Sequence, residues 1–155
     1  MSTAGLSVAD ANNFMALELH LVALVKAAVA GISPAVHVLT AAELEDVKES
    51  AQKTPAVHVI YGGYTVAEDL RTAWRLEHTW YAVVAVRSAA TQRTGAAARA
   101  DAGPLVVRVI DALAGANVPG ATEPLKLTTP PKAGYPKGIQ YIPSAFIAET
   151  IFRKP

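Results

Sequence analysis

The stretch AWRLEHTWYAVVAVR (Ala73–Arg87) alternates with a period of two along its whole length. Trp74, Leu76, His78, Trp80, Ala82, Val84 and Val86 form one nearly apolar set. Arg75, Glu77, Thr79, Tyr81, Val83 and Ala85 form the other, polar at first and apolar later. A period of two sends alternate side chains to opposite faces of a sheet, so the stretch reads as one unusually long β-strand. Strands average ~5–6 residues, and one of about twice that length is expected to project beyond the core of a small domain. Both tryptophans of the chain fall on the same face of it. A projecting strand with aromatic side chains and an uncapped edge needs a partner chain to cover it. Trp74, His78, Trp80 and Tyr81 are therefore the candidate interface residues, and the feature points toward assembly rather than catalysis.

Composition points the same way. The 155 residues fit one domain spanning 1–155, and a chain of this size buries ~70% of its unfolded surface. Charged residues make up only 17% and hydrophobic ones 52%, against typical values of ~25% and ~45–50%. A small domain has much surface to solvate, so a shortage of charge suggests surface hidden in an oligomer; an alanine-rich chain produces the same count without any patch. The net charge of +1 gives no argument for nucleic-acid or membrane binding. Its distribution is uneven: residues 1–90 carry six Lys/Arg against nine Asp/Glu, and residues 91–155 carry eight against four. The halves have balances of −3 and +4, a charge dipole along the sequence. The absence of cysteine excludes disulfides, thiolate catalysis and Cys-based zinc sites, and fits a reducing cytosol. The N-terminus has no Lys or Arg ahead of its apolar run, unlike a secretory signal. The apolar run 14–30 contains Glu18, His20 and Lys26 and is too short and polar to span a bilayer.

Working outward from the long strand, Ser7 and Asp10 resemble a helix start, and Phe14, Leu17, Leu21, Leu24, Val25 and Ala28 follow helical spacing. Gly31 is the expected stop, with Ser33-Pro34 opening the exit loop. Two short strands are predicted at 35–39 and 56–60, whose Ala-Val-His-Val sequences echo each other, separated by an acidic segment at 41–50 with one or two helical turns. Gly62-Gly63 is expected to break the second strand, and 64–70 to lead into the long strand as a hairpin arm or loop. Helical patterns follow at 91–102 and 105–113, with Gly103-Pro104 predicting a kink or two abutting helices. The segment 117–136 holds five prolines and reads as loop, with Lys126–Thr128 a brief edge strand. Strands at 139–142 and 144–152, parted or bent by Pro143, close the chain. Runs of strands separated from helices predict an α+β fold: an antiparallel or mixed sheet with a long projecting strand or hairpin and two main helices on one face.

Motifs for chemistry are sparse. His37, His58 and His78 all sit on predicted strands, and imidazoles from adjacent strands can bind zinc. His37 and His58, however, point away from their flanking valines, which a solvated sheet face explains, and His78 lies on the Trp face as a packed or hydrogen-bonded residue. No Gly-x-Ser-x-Gly elbow, Walker loop, Gly-x-Gly-x-x-Gly or His-Glu-x-x-His occurs. Glu43, Glu45, Asp46 and Glu49 form an acidic cluster of the kind found on a solvated helical face. The basic residues near the C-terminus are dispersed, without the interleaved aromatics of a nucleic-acid module. These residues point to no catalytic, cofactor-binding or metal site.

From Trp80 onward the chain resembles a known family. The elements are the strand Trp80-Tyr81-Ala82-Val83-Val84-Ala85-Val86, the helix from Ala96 through Gly103-Pro104-Leu105 to Leu113, and the closing Gly138-Ile139-Gln140-Tyr141-Ile142-Pro143-Ser144-Ala145-Phe146. Together they resemble the Mu-like (Gp37-type) phage tail terminator, or tail completion, family. The chain departs from that pattern where the family often has an aromatic residue, at Gly115-Ala116-Asn117 and at Ile142. The resemblance implies a structural protein, not an enzyme, and carries no cofactor. It implies a homo-oligomeric ring, usually a hexamer, that sits on the last ring of the tail tube, stops polymerisation and offers a surface for head-tail joining. The implied partners are the chain itself, the tail tube protein and head-tail connector proteins, with DNA passing only through the lumen and no membrane. It implies a place in the virion tail and assembly in the bacterial host cytoplasm. A lumen that DNA must cross is expected to be acidic or neutral, which makes Glu43, Glu45, Asp46 and Glu49 lumen candidates. Two other classes stay open on the residues alone: a small oligomeric ligand-binding or regulatory α+β domain, and a metal-dependent hydrolase using His37, His58 and His78.

Overall fold

The long strand is central. In the computed structural model, which describes residues 13–44, 53–87, 96–135 and 138–155, Ala73–Arg87 forms one strand of 15 residues. The elements in chain order are α1 (Glu18–Val29), β1 (His37–Thr40), α2 (Ala41–Leu44), β2 (Ala56–Asp69), β3 (Ala73–Arg87), α3 (Ala96–Leu113), β4 (Lys126–Thr128) and β5 (Ile139–Arg153). They build a five-stranded mixed sheet in the order β1-β2-β3-β5-β4. β1 and β2 run parallel, and every other neighbouring pair is antiparallel. The expected α+β class, mixed sheet and projecting hairpin are all present. One expectation is corrected: β3 is not an edge. β5 pairs with it from Ala73↔Arg153 to Arg87↔Ile139 and β2 flanks its other side, so its backbone is paired along its length.

The alternation of β3 decides where the core lies. Leu76, His78, Trp80, Ala82, Val84 and Val86 are all buried, while Arg75, Glu77, Thr79, Tyr81 and Val83 are only half-buried. On this face of the sheet α3 packs over β3 and β5 and α1 packs over β1, β2 and α3; Leu21, Val25 and Val29 of α1 and Leu105, Val109 and Leu113 of α3 join the same core. Leu17, Leu21, Val25 and Val29 recur every fourth residue, the spacing that puts one stripe of a helix against a sheet. α1 begins after a turn in which the Asn13 side chain accepts the Met15 N–H at 2.9 Å; its N-cap, Leu17, makes no side-chain cap. The Ser7 cap expected from the sequence lies outside the described residues. Gly31, at φ 80°, takes the left-handed conformation just past the helix end, as expected.

One further expectation changes, and two sets of alternatives are narrowed. Gly62-Gly63 does not break β2 but forms a bulge within it, marked by the register shift between Tyr61↔Trp80 and Tyr64↔His78. A Cβ at Gly62 would come within 2.5 Å of the Tyr81 ring lying across it, so any larger residue has to displace that ring, and Gly63 has a φ of 98°. Pro143 does not divide the last strand. Tyr141 exchanges both backbone bonds with Gly134 on the outer side of β5, and β4 joins only at Ala145. By strand alternation the missing N–H of Pro143 faces the gap between these contacts, where no ladder bond is lost. Pro104 sits inside a single helix, α3, rather than between two.

β1 ends at the pair Thr40↔Val59 and β4 at Lys126↔Ile147. Beyond them β2, β3 and β5 continue as a three-stranded arm. Arg75 ties its strands together, donating to Glu68 at 3.0 Å and to Glu149 at 3.2 Å. Near its tip Lys154 bonds Asp69 at 2.7 Å and lies 4.7 Å above the Trp74 ring, which stacks on Phe152. The Lys154 hydrogen bond, with that from the Arg71 N–H, holds the Asp69 carboxyl below the usual carboxylate range. Single surface ion pairs contribute little, so these contacts set the arm's shape more than its stability.

Candidate functional site

The free surface of the arm is the most distinctive feature of the fold. Among the described residues, β2 has a strand on one side only from residue 60 onward. Its stretch 64–69 is exposed throughout, with Tyr64 at 52% and Val66 at 58% relative exposure. An exposed strand edge carrying aromatic and β-branched side chains is a template for pairing with another chain. The opposite edge of the sheet is β4, where Leu127 is 51% exposed. A second surface is the face of the sheet opposite α1 and α3, where Ile60, Tyr81, Val83, Pro143, Ile147 and Ile151 are half-buried.

The four candidate interface residues separate. Trp80 and His78 are interior residues of the subunit, 2% and 1% exposed. His78 is held by two hydroxyls, with Nδ1 2.8 Å from the Tyr61 oxygen and Nε2 2.8 Å from Thr150 Oγ1. Phe14 packs edge-on against it, against Tyr64 and against Phe152, with centroids 5.0–5.6 Å apart. Burial pushes the His78 pKa down, so the ring is neutral, one nitrogen donating and the other accepting. Trp74 and Tyr81 keep exposed area, Trp74 near the arm tip and Tyr81 on the face away from the helices. Sequence reasoning passed over Tyr64, Val66 and Leu127. The alternation of Tyr64 and Val66 was legible, but the preceding Gly pair hid the continuation of the strand.

Of the acidic cluster, Glu45, Asp46 and Glu49 lie outside the described residues. Glu43 is exposed, and its Oε1 accepts from both the N–H and the Oγ1 of Thr40 at 3.2 Å. This is half of a capping box, with Thr40 as N-cap and Glu43 three residues on, so the carboxylate has a local structural role.

The three strand histidines do not converge. β1 and β2 are parallel with Leu39 opposite His58, which places His37 and His58 on one face, while His78 shares the other face with Trp80. The expected solvated face holds for His37 but not for His58. His58 is 5% exposed, packed near Tyr141, with its Nε2 lacking a partner among the described residues. Among the described residues no group of three or more His, Asp or Glu is arranged to hold a metal. A cleft of about 520 Å³ between Pro34, Pro55, Val86, Leu105 and Arg108 is lined, among the described residues, without His, Asp or Glu. No described helix is long and apolar enough to cross a membrane.

No curated protein matches the chain. The family model of the phage tail terminator protein matches residues 10–155, which includes both long helices, all five strands and the arm. The chain belongs to the phage tail terminator family and is a structural protein of the phage tail.

Proposed function

We propose that the chain closes into a homo-oligomeric ring, a hexamer as the family resemblance implies, that caps the tail tube, stops its polymerisation and presents a surface for head-tail joining. The observation that carries this reading is the projecting three-stranded arm. A ring requires one patch on a subunit to meet a different patch on the next. A strand edge that no described segment covers over the length of an arm offers such a patch. The shortage of charge and the opposite balances of the two halves support the same reading. The partners in this account are further copies of the chain, the tail tube protein and head-tail connector proteins. DNA is a passenger in the lumen, with Glu43, Glu45, Asp46 and Glu49 as candidate lining, and assembly takes place in the host cytoplasm. Mass measurement and electron microscopy of concentrated protein, alone and with tail-tube subunits, test it. Rings or capped tubes are expected; protein that stays monomeric even beside tubes, leaving their ends bare, refutes it.

A further inference from the structure

We infer that adjacent copies in this ring join edge to edge, the arm edge of β2 in one copy adding to the outer edge of β4 in the next; the inference rests on the ring reading. Three observations converge. First, each edge keeps free backbone among the described residues. Among them β2 has no strand neighbour beyond Val59 on its outer side. Leu125, just before β4, turns its N–H and C=O away from β5, where Ala116 and Gly115 take them. By strand alternation Leu127 presents its own pair outward, two residues along.

Second, the exposed side chains match in face. Tyr64 and Val66 pair with His78 and Leu76, and Leu127 pairs with Phe146, which faces Trp80. All three apolar side chains therefore stand on the helix-bearing face of the sheet. Setting Leu127 opposite Val66 brings them into mutual cover, as cross-strand apolar pairs do. Lys126 and Thr128 then share the other face with Thr65 and Glu68, and Lys126 lies diagonal to Glu68.

Third, direction and offset are compatible with closure. Counting across the sheet, β2 and β4 run in opposite directions. Copies related by rotation about an axis along the strands therefore meet as an antiparallel pair. Leu127 is level with Trp80, and Val66 is level with Leu76, four residues away along β3. Spread over the strand-to-strand steps from one β2 to the next, that offset tilts the strands by about 35°, within the range of closed barrels.

The chain has no cysteine, so engineered ones report cleanly. Facing residues of an antiparallel pair have Cα atoms about 4.5–5.5 Å apart, within disulfide reach. The Val66→Cys, Leu127→Cys double variant is oxidised under conditions where electron microscopy shows rings, and run on a denaturing gel. A ladder up to the ring's subunit number is expected. An equal mixture of the two single variants should stop at dimers, and each single variant alone should stay monomeric. Rings without a ladder overturn the edge pairing and leave the ring standing. Self-linking of Val66→Cys alone overturns it in favour of a two-fold pair. Absence of rings under every condition, tubes included, overturns both.

Discussion

Trp80→Ala tests the register from which the fold follows. The ring is buried in the core that also holds Leu21, Val59, Leu113, Leu125 and Phe146, with Tyr61 5.0 Å away between centroids. An aromatic side chain removes about 150–250 Å² from water, and emptying such a site costs about 3–5 kcal/mol. One feature lowers the figure: the indole Nε1 is buried with no partner among the described residues. Deleting an unsatisfied donor returns about 1 kcal/mol, which puts the cost at about 2–4 kcal/mol. For a domain of this size that is a fall of roughly 4–16 °C in Tm. Trp80→Phe keeps most of the ring and removes the donor, so it should cost less than about 1.5 kcal/mol. Glu77→Ala, half-buried on the opposite face, should stay within about 0.5 kcal/mol. Urea denaturation followed by circular dichroism measures all three. A Trp80→Ala protein that unfolds within about 1 kcal/mol of wild type would refute the assignment of the even residues of β3 to the core.

Burial holds the His58 and His78 pKa values below the ordinary 6.5. The unfolded chain therefore binds more protons just below that pH, so stability is complete above about pH 6.5 and declines as pH falls through the window beneath it. Tm should drop on acidification from pH 7 to pH 5, less steeply in His58→Leu; a flat profile contradicts the buried, neutral assignment. Gly62→Ala should destabilise by about 1–3 kcal/mol by displacing the Tyr81 ring, and the cost should shrink in a Tyr81→Ala background; equal costs in both would remove the ring as the cause. With His78 on the face opposite His37 and His58, purified protein should hold no stoichiometric zinc, and one ion per chain by elemental analysis would revive the hydrolase reading.

Much of this fold is legible in the sequence where a single force dominates. Ala73–Arg87 has the predicted bounds because alternation over 15 residues leaves no other regular structure to compete. Lys126–Thr128 is likewise an edge strand as expected. Misreadings occur where local chemistry argues for a break that the sheet overrides. Gly62-Gly63 is a strong turn signal, yet the Tyr81 ring covers Gly62 and the strand runs on as a bulge. Pro143 is a strong strand breaker, yet its lost donor faces a gap in the ladder. The candidate site was the least legible part, because strand order is non-local. Nothing within Ala73–Arg87 reveals that β5, equally long, returns to cover it, and without that pairing this strand looks like the exposed one. The true edge is its neighbour.

The most direct test of the terminator account is the length of tail tubes grown from purified tube subunits with and without this protein. The account predicts that adding it narrows and shortens the length distribution in proportion to its concentration, with a ring of density on the tube end. Tubes that keep growing at the same rate to the same lengths, their ends bare, would contradict it.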